Sequence, residues 1–244
     1  MYLSLPHITR ENPPEGYMEQ VKKWLEAGLS GFLVRNLESY SALAQMGLAD
    51  KCVLDHSLYT WNDEAIRFWK DQGILRNTVP LELNEKELRH RENAGSEMIV
   101  YGRLPLMHSA QCVRKNTFGC NGQEERLVLK DRYDKEFPVV CYCRPWKMGN
   151  TKAAESCYNI IYNSVPLSLH TLVEKGMQGI TAYRLDFTTE NGDETVSVVR
   201  YFADLLSGTD RKPPYQEYTT GHIKRGVESV SYTHLRAHET CADL

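Results

Sequence analysis

From Met1 to about Gly102, short apolar runs alternate with stretches in which apolar side chains recur at helical spacing. No other feature constrains the fold as strongly, because strands separated by single helices pair in parallel and use those helices as crossovers. Strands are predicted over residues 2–8, 31–36, 52–56, 77–83 and 97–103. Pro14 is placed to open the first helix, with Met18, Val21, Trp24 and Leu25 on one face and Gly28 at its end. Asn62 reads as the cap of a second helix that buries Ile66 and Trp69, and Asn84 as the cap of a third in NEKELRHREN. A further strand over 179–187, GITAYRLDF, follows a helix expected around 167–175. The pattern predicts an α/β chain, a partial (β/α) TIM-like barrel of about six strands where a closed barrel has eight. A strand placed almost directly after Met1 fits a chain lacking the first part of its barrel, with two open sheet edges.

Several of these strands end in polar residues: Arg35 and Asn36, Asp55 and His56, Glu82, Arg103, and later Arg184 and Asp186. The carboxyl ends of the strands form the active-site face of a (β/α) barrel, so these side chains are expected to line one mouth. Arg103 and Arg184 are the candidate substrate clamps, since a guanidinium stays charged and grips a carboxylate with two hydrogen bonds. Glu82 and Asp186 are the candidate catalytic acid–base groups. The same residue types also describe an Arg–carboxylate pair that holds the mouth together. Asp131 and Arg132 are expected to pair in a turn, and Tyr158, Asn159, Tyr162 and Asn163 to satisfy nearby backbone groups.

Between residues 101 and 164 the chain gathers five of its seven cysteines: Cys112, Cys120, Cys141, Cys143 and Cys157. Disulfide-dense domains are small and secreted, whereas this chain has 244 residues and a pI near 6.3, and no apolar segment follows Met1. A reducing, cytoplasmic compartment is expected, in which grouped thiolates hold a metal or a cluster. No apolar run approaches the roughly 20 residues that cross a bilayer. The net charge of -3 and the lack of a long basic block argue against nucleic-acid binding by charge alone. Seven residues separate Cys112 from Cys120, so the tight knuckles of structural zinc are missing, yet four thiolates suit zinc as well as iron–sulfur. A thiol peptidase would need a base such as His56, His108, His170 or His222 beside a cysteine. HExxH and GxSxG motifs are absent from the sequence.

Six ordered segments, YGRLPLM at 101–107, SAQC at 109–112, LKDRYDKEFPV at 129–139, CYNIIYNSVPLSL at 157–169, RLDFT at 184–188 and TTGHIKRGVE at 219–228, together resemble peptidase family U32, the collagenase-like proteases. The resemblance runs over residues 2–228 and implies a (β/α) barrel with a cysteine-bearing excursion, 104–166, near its mouth. Some members of the family hold an oxygen-sensitive 4Fe-4S cluster on four cysteines and take part in hydroxylating RNA or quinone precursors without molecular oxygen. The peptidase name carries no assigned catalytic type. Carried over by motif, the metal ligands are Cys112, Cys120, Cys143 and Cys157, with Cys141 as the alternative to Cys143. The chain departs from the family in placing RPWKMGNTKAAES between Cys143 and Cys157, where relatives have a short Cys-x-x-Cys spacing. Lengthening a loop costs only tenths to about 1 kcal/mol, so the insert is compatible with joint ligation.

The expected function is that of a U32 enzyme binding a 4Fe-4S cluster, acting by peptide hydrolysis or oxygen-independent hydroxylation. Its substrate is RNA, a peptide or a carboxylated small molecule, and a partner subunit could complete the barrel. The alternative is a noncatalytic scaffold stapled by zinc, or an RNA-binding accessory protein. Residues 229–244 include VSYTHLRAHET, which has neither helical nor strand period and reads as adapter-derived, so His234, His238 and Cys241 are not expected as ligands.

Overall fold

The structure is a computed structural model describing residues 1–9, 16–143, 157–209 and 211–227. Its first half repeats one unit: β1 (Tyr2–Ser4), α1 (Tyr17–Glu26), β2 (Gly31–Val34), α2 (Leu37–Gln45), β3 (Cys52–Leu54), α3 (Asp63–Asp71), β4 (Arg76–Thr78), α4 (Glu85–His90) and β5 (Ser96–Gly102). Local chemistry sets the boundaries. Asn36, Asn62 and Asn84 each accept the backbone N–H three residues on, and Asn84 and Glu87 complete a capping box. Gly28, at φ 94, turns the chain out of α1 in the left-handed region that glycine enters freely.

After β5 come β6 (Pro105–Ser109), α5 (Val113–Phe118), β7 (Glu125–Lys130), β8 (Glu136–Tyr142) and β9 (Tyr158–Tyr162). The chain then returns through β10 (Leu167–Ser168), α6 (His170–Lys175), β11 (Ile180–Asp186) and α7 (Gly192–Leu206). Six strands, β1-β2-β3-β4-β5-β11, pair in parallel as a curled half-barrel. Strand β11 follows β5 from end to end, while β4 and the antiparallel β10 share the other edge of β5. Two apolar clusters pack this sheet against its helices, one around Phe32, Val34, Leu43, Leu54 and Trp69, the other around Met98, Val100, Leu172, Tyr201 and Phe202.

All six predicted parallel strands are present, five of them shorter than predicted and β5 of the expected length but starting one residue earlier. Arg35, Asp55 and Arg103 each stand one residue past a strand. Three expectations need correction. Leu167 and Ser168 pair with β5, so the helix expected around 167–175 begins at His170. Met18 is exposed, and Tyr17 fills the buried position on α1. Asp131 accepts the Tyr133 and Lys135 backbone N–H groups to shape a hairpin turn, and Arg132 stacks over the Tyr133 ring. Pro14 and residues 228–244 lie outside the described residues.

A second, antiparallel sheet, in the order β6-β9-β8-β7, occupies the chain between β5 and β10. Alternation gives it two different faces. Val140, Tyr142, Tyr158, Ile160 and Tyr162 pack with Ile8 of the half-barrel, while Val139, Cys141, Cys143, Cys157 and Ile161 pack on the other face with Val113 of α5.

Candidate functional site

The carboxyl ends of the parallel strands surround a cavity of about 160 Å³. Arg35, Asp55, His56, Arg103 and Asp186 line it from the strand ends, and Tyr142 and Tyr162 close it from the antiparallel sheet. Asp55, 1% exposed, is the hub. Its Oδ2 accepts from Arg35 Nε at 2.8 Å, and its Oδ1 accepts from Arg184 Nη2 at 2.7 Å and from the His56 backbone N–H at 2.8 Å. Burial alone would push this carboxyl up, but Arg184, His56 and Arg35 hold it well below the usual carboxylate range.

Arg184 is surrounded by protein acceptors. It pairs with Asp55, with Glu97 at 2.6 Å and with Asp186 at 3.0 Å, and donates to the Thr78 hydroxyl at 3.2 Å. These contacts tie β3, β4, β5 and β11 together, and Arg184, expected to line the mouth, is not among the residues lining the cavity. Asp186 faces the cavity, and burial pushes its carboxyl up against the pull of Arg184. Glu82 does not line the cavity; burial, then the Glu82 carboxylate, pushes the Tyr59 phenol up. Asn36 works as a knot, capping α2 while its amide donates to the Pro6 carbonyl at 3.0 Å and the Thr9 hydroxyl at 3.2 Å.

Arg103 is held differently. Nε donates to the Thr189 hydroxyl at 3.0 Å and Nη1 to the Asn163 carbonyl at 3.0 Å and the Ser164 carbonyl. None of these is a carboxylate, and Nη2 has no partner among the described residues. Close packing at this point requires glycine before it: a Cβ on Gly102, at φ 144, would stand 2.5 Å from the Asp186 carbonyl oxygen.

Sequence reasoning missed Tyr142 and His7 here, and gave Tyr158 and Tyr162 only the role of satisfying backbone groups. Tyr142 stacks on Tyr158 with ring centroids 4.9 Å apart, its hydroxyl lies 3.3 Å from that of Tyr162, and the Tyr158 hydroxyl accepts the His7 N–H at 3.1 Å. His7 Nδ1 lies 3.3 Å from Nε2 of His108, linking the two sheets. Burial, then Arg35 and His108, push His7 down to about 2. The available signal was the alternation in FPVVCYC and CYNIIY, which predicts two-faced strands with tyrosines opposite cysteines.

The thiols lie on the far face of that sheet. Cys112 caps α5, its Sγ accepting the Lys115 N–H, and its thiol interacts with that of Cys141. Cys141 donates to Asn159 Oδ1 at 2.9 Å, and Asn159 in turn ties down the Cys112 loop through the Val113 N–H and the Gln111 carbonyl. Since Tyr142 pairs with Tyr158, Cys143 falls opposite Cys157, and their thiols hydrogen-bond. Burial, then Cys157, pushes Cys143 up to about 12, opposite to the depressed pKa of an activated nucleophile. Cys120 stands exposed beyond α5. Among the described residues no three His, Cys, Asp or Glu side chains are grouped closely enough to hold a metal ion. In chemical type the thiols suit a soft metal or cluster, and they stand as two adjoining pairs with Cys120 outside them.

Fold and site together define a mixed α/β protein with a charged mouth and a thiol-bearing sheet beside it. The chain belongs to peptidase family U32, whose family model matches residues 1–231. No curated protein and no solved structure gave a significant match. Among the described residues no helix is long and apolar enough to cross a membrane.

Proposed function

We propose that this chain is a U32 enzyme that binds substrate in the mouth of a (β/α) barrel and carries a 4Fe-4S cluster on the far face of its antiparallel sheet. Its reaction is an oxygen-independent hydroxylation. The observation behind this reading is that mouth and thiols occupy opposite faces of one sheet. A nucleophilic thiol must come within about 3–3.5 Å of the atom it attacks. Cys141, Cys143 and Cys157 cannot do so from the face they occupy, whereas a redox group need not touch the substrate. Cys112, Cys120, Cys143 and Cys157 are the proposed ligands, with the Cys141 thiol engaged by Asn159. An iron–sulfur cluster supplies one-electron chemistry. In the mouth, the Asp55–Arg184 network fixes the strand ends, Asp186 holds or releases a proton, and Tyr142 and Tyr162 wall the cavity from the thiol side.

Peptide hydrolysis is the second reading, favoured by the family description and by Asp186, whose raised carboxyl could activate a water. Iron, acid-labile sulfide and zinc in the full chain purified without oxygen test the proposal. About four irons and four sulfides per chain are expected. Cys112→Ala, Cys120→Ala and Cys143→Ala should abolish loading, while Cys52→Ala leaves it intact. Zinc instead of iron would favour the scaffold role, and equal loading in all variants would overturn the ligand set.

A further inference from the structure

Among the described residues, Arg103 Nη2 and Thr188 Oγ1 lack protein partners at the mouth, and they belong to adjacent strand ends. Gly102 of β5 pairs with Asp186 of β11, so Arg103 and Thr188 follow two neighbouring strands into the same cavity. Nη2 of Arg103 has no partner among the described residues, and Thr188 Oγ1 is buried without a hydrogen-bond partner. The surrounding loop is already fixed: Glu190 accepts both the Thr188 and Thr189 N–H groups, at 2.8 and 3.0 Å, and the Tyr101 hydroxyl at 3.1 Å.

The other arginines show what is unusual here. Arg35 and Arg184 are neutralised by carboxylates. Arg91 also lacks a carboxylate partner, but all its nitrogens donate, to Thr60, Glu92, Asn93, Ser96 and Asn77. Arg103 alone of these four combines an uncompensated charge with an open N–H group in a cavity. A half-buried cation without a counter-charge is unfavourable, and binding an anion relieves it.

The geometry points to a carboxylate of the substrate binding Arg103 Nη2 and Thr188 Oγ1. This deepens the proposed use of the mouth as the substrate site. One uncompensated guanidinium matches one negative charge, so a monoanionic carboxylate fits better than a phosphate dianion. The cavity of about 160 Å³ is smaller than the ~300–1,000 Å³ that encloses a whole drug-sized ligand, so it takes the end of a molecule.

The test is titration of the full chain, followed through the side-chain Nε–Hε resonance of Arg103. The probes are acetate, N-acetyl-dialanine with a free carboxylate, the same dipeptide as its C-terminal amide, and inorganic phosphate. Both carboxylates should shift the resonance saturably, and the amide should not. A dipeptide acid binding tenfold tighter than acetate assigns the carboxylate to a peptide end, and equal affinities assign it to small carboxylic acids. Arg103→Gln should weaken acetate binding at least tenfold, read from the shifts of neighbouring amides. Thr188→Val, which keeps side-chain shape and separates binding from folding, should weaken it several-fold. Phosphate binding tighter than acetate, equal binding of the amide, or unchanged affinity in Thr188→Val would overturn the assignment. Probe binding needs neither cluster nor turnover, so its failure and that of the iron–sulfur reading are told apart by metal content.

Discussion

The half-barrel and the antiparallel sheet both bury polar groups, but by different chemistry. In the half-barrel Arg35, Asp55, Glu97, Arg184 and Asp186 compensate one another in ion pairs of 2.6–3.0 Å. In the antiparallel sheet, apart from the partly exposed pair of Arg114 Nε and Glu125 Oε2 at 3.1 Å, the buried polar contacts are between neutral thiols, amides and phenols: Cys141 donates to Asn159, Tyr142 meets Tyr162, and Tyr158 accepts from His7. Removing one member of a buried charge network strands its partners without solvent, whereas a neutral hydrogen bond loses far less. The half-barrel should therefore be the more sensitive region to single substitutions and to pH.

The largest effect is expected from Arg184→Met. It removes the cation shared by Asp55, Glu97 and Asp186 and should destabilise the protein by about 3–5 kcal/mol in urea unfolding. A loss no greater than that of a thiol deletion in the other sheet would erase the contrast.

The two regions meet at His7, where pH dependence sharpens the comparison. His7 stays neutral in the folded protein down to about pH 2 and takes a proton near 6.5 once unfolded. The unfolded state thus binds more protons below about pH 6.5, and stability falls as pH drops, by up to ~1.4 kcal/mol per unit for this group. His7→Gln should flatten that slope between about pH 6.5 and 4. Asp55 behaves as a depressed carboxylate: its contribution is complete above its unfolded pKa of about 3.9 and is lost only below it. Asp55→Asn should change the profile below about pH 4 and leave the His7 slope unaltered. Urea midpoints at pH 7, 5 and 3.5 separate the two, and a single shared slope would contradict the assignment.

The same division governs how much could be read from the sequence. Residues 31–36 and 52–56 announce themselves as strands because parallel strands are buried on both faces and read as unbroken apolar runs. Arg35, Asp55 and Arg103 were legible as mouth residues because each follows such a run. That Arg184 would be ringed by carboxylates while Arg103 would not depends on strand order, which no local pattern carries. In the other sheet, β6 and β7 expose Leu106, Met107, Val128 and Leu129, so their patterns lack a clean buried face. Cys141 of β8 and the flanking Cys143 and Cys157 suggested a metal loop where the alternation also described a pleated sheet. α7 was not predicted, although Asn191 and Glu194 form a capping box ahead of VSVVRYF that marked it.

A smaller effect is expected from Cys141→Ala, about 1–2 kcal/mol, for a small cavity and an Asn159 oxygen that loses its thiol donor. Because Asn159 also holds the Val113 N–H and the Gln111 carbonyl, the Cys112 loop should loosen as well, seen as faster amide exchange at Val113. Iron loading should survive this substitution if Cys141 is a structural donor and Cys143 the ligand.

The smallest effect belongs to the hairpin of β7 and β8. Lys130 and Glu136 lie 2.9 Å apart, but both side chains are more than half exposed. Solvent screens such a pair and side-chain entropy opposes it, so Lys130→Ala should change stability by less than about 0.5 kcal/mol. β7 is the outer strand of its sheet, and lysine on an outer strand opposes pairing with other chains. Any larger consequence should therefore appear as concentration-dependent association in light scattering, with the urea midpoint of the dilute protein unchanged. A drop of several kcal/mol would mean that the antiparallel sheet depends on charge as the mouth does, and the distinction between the two regions would fail.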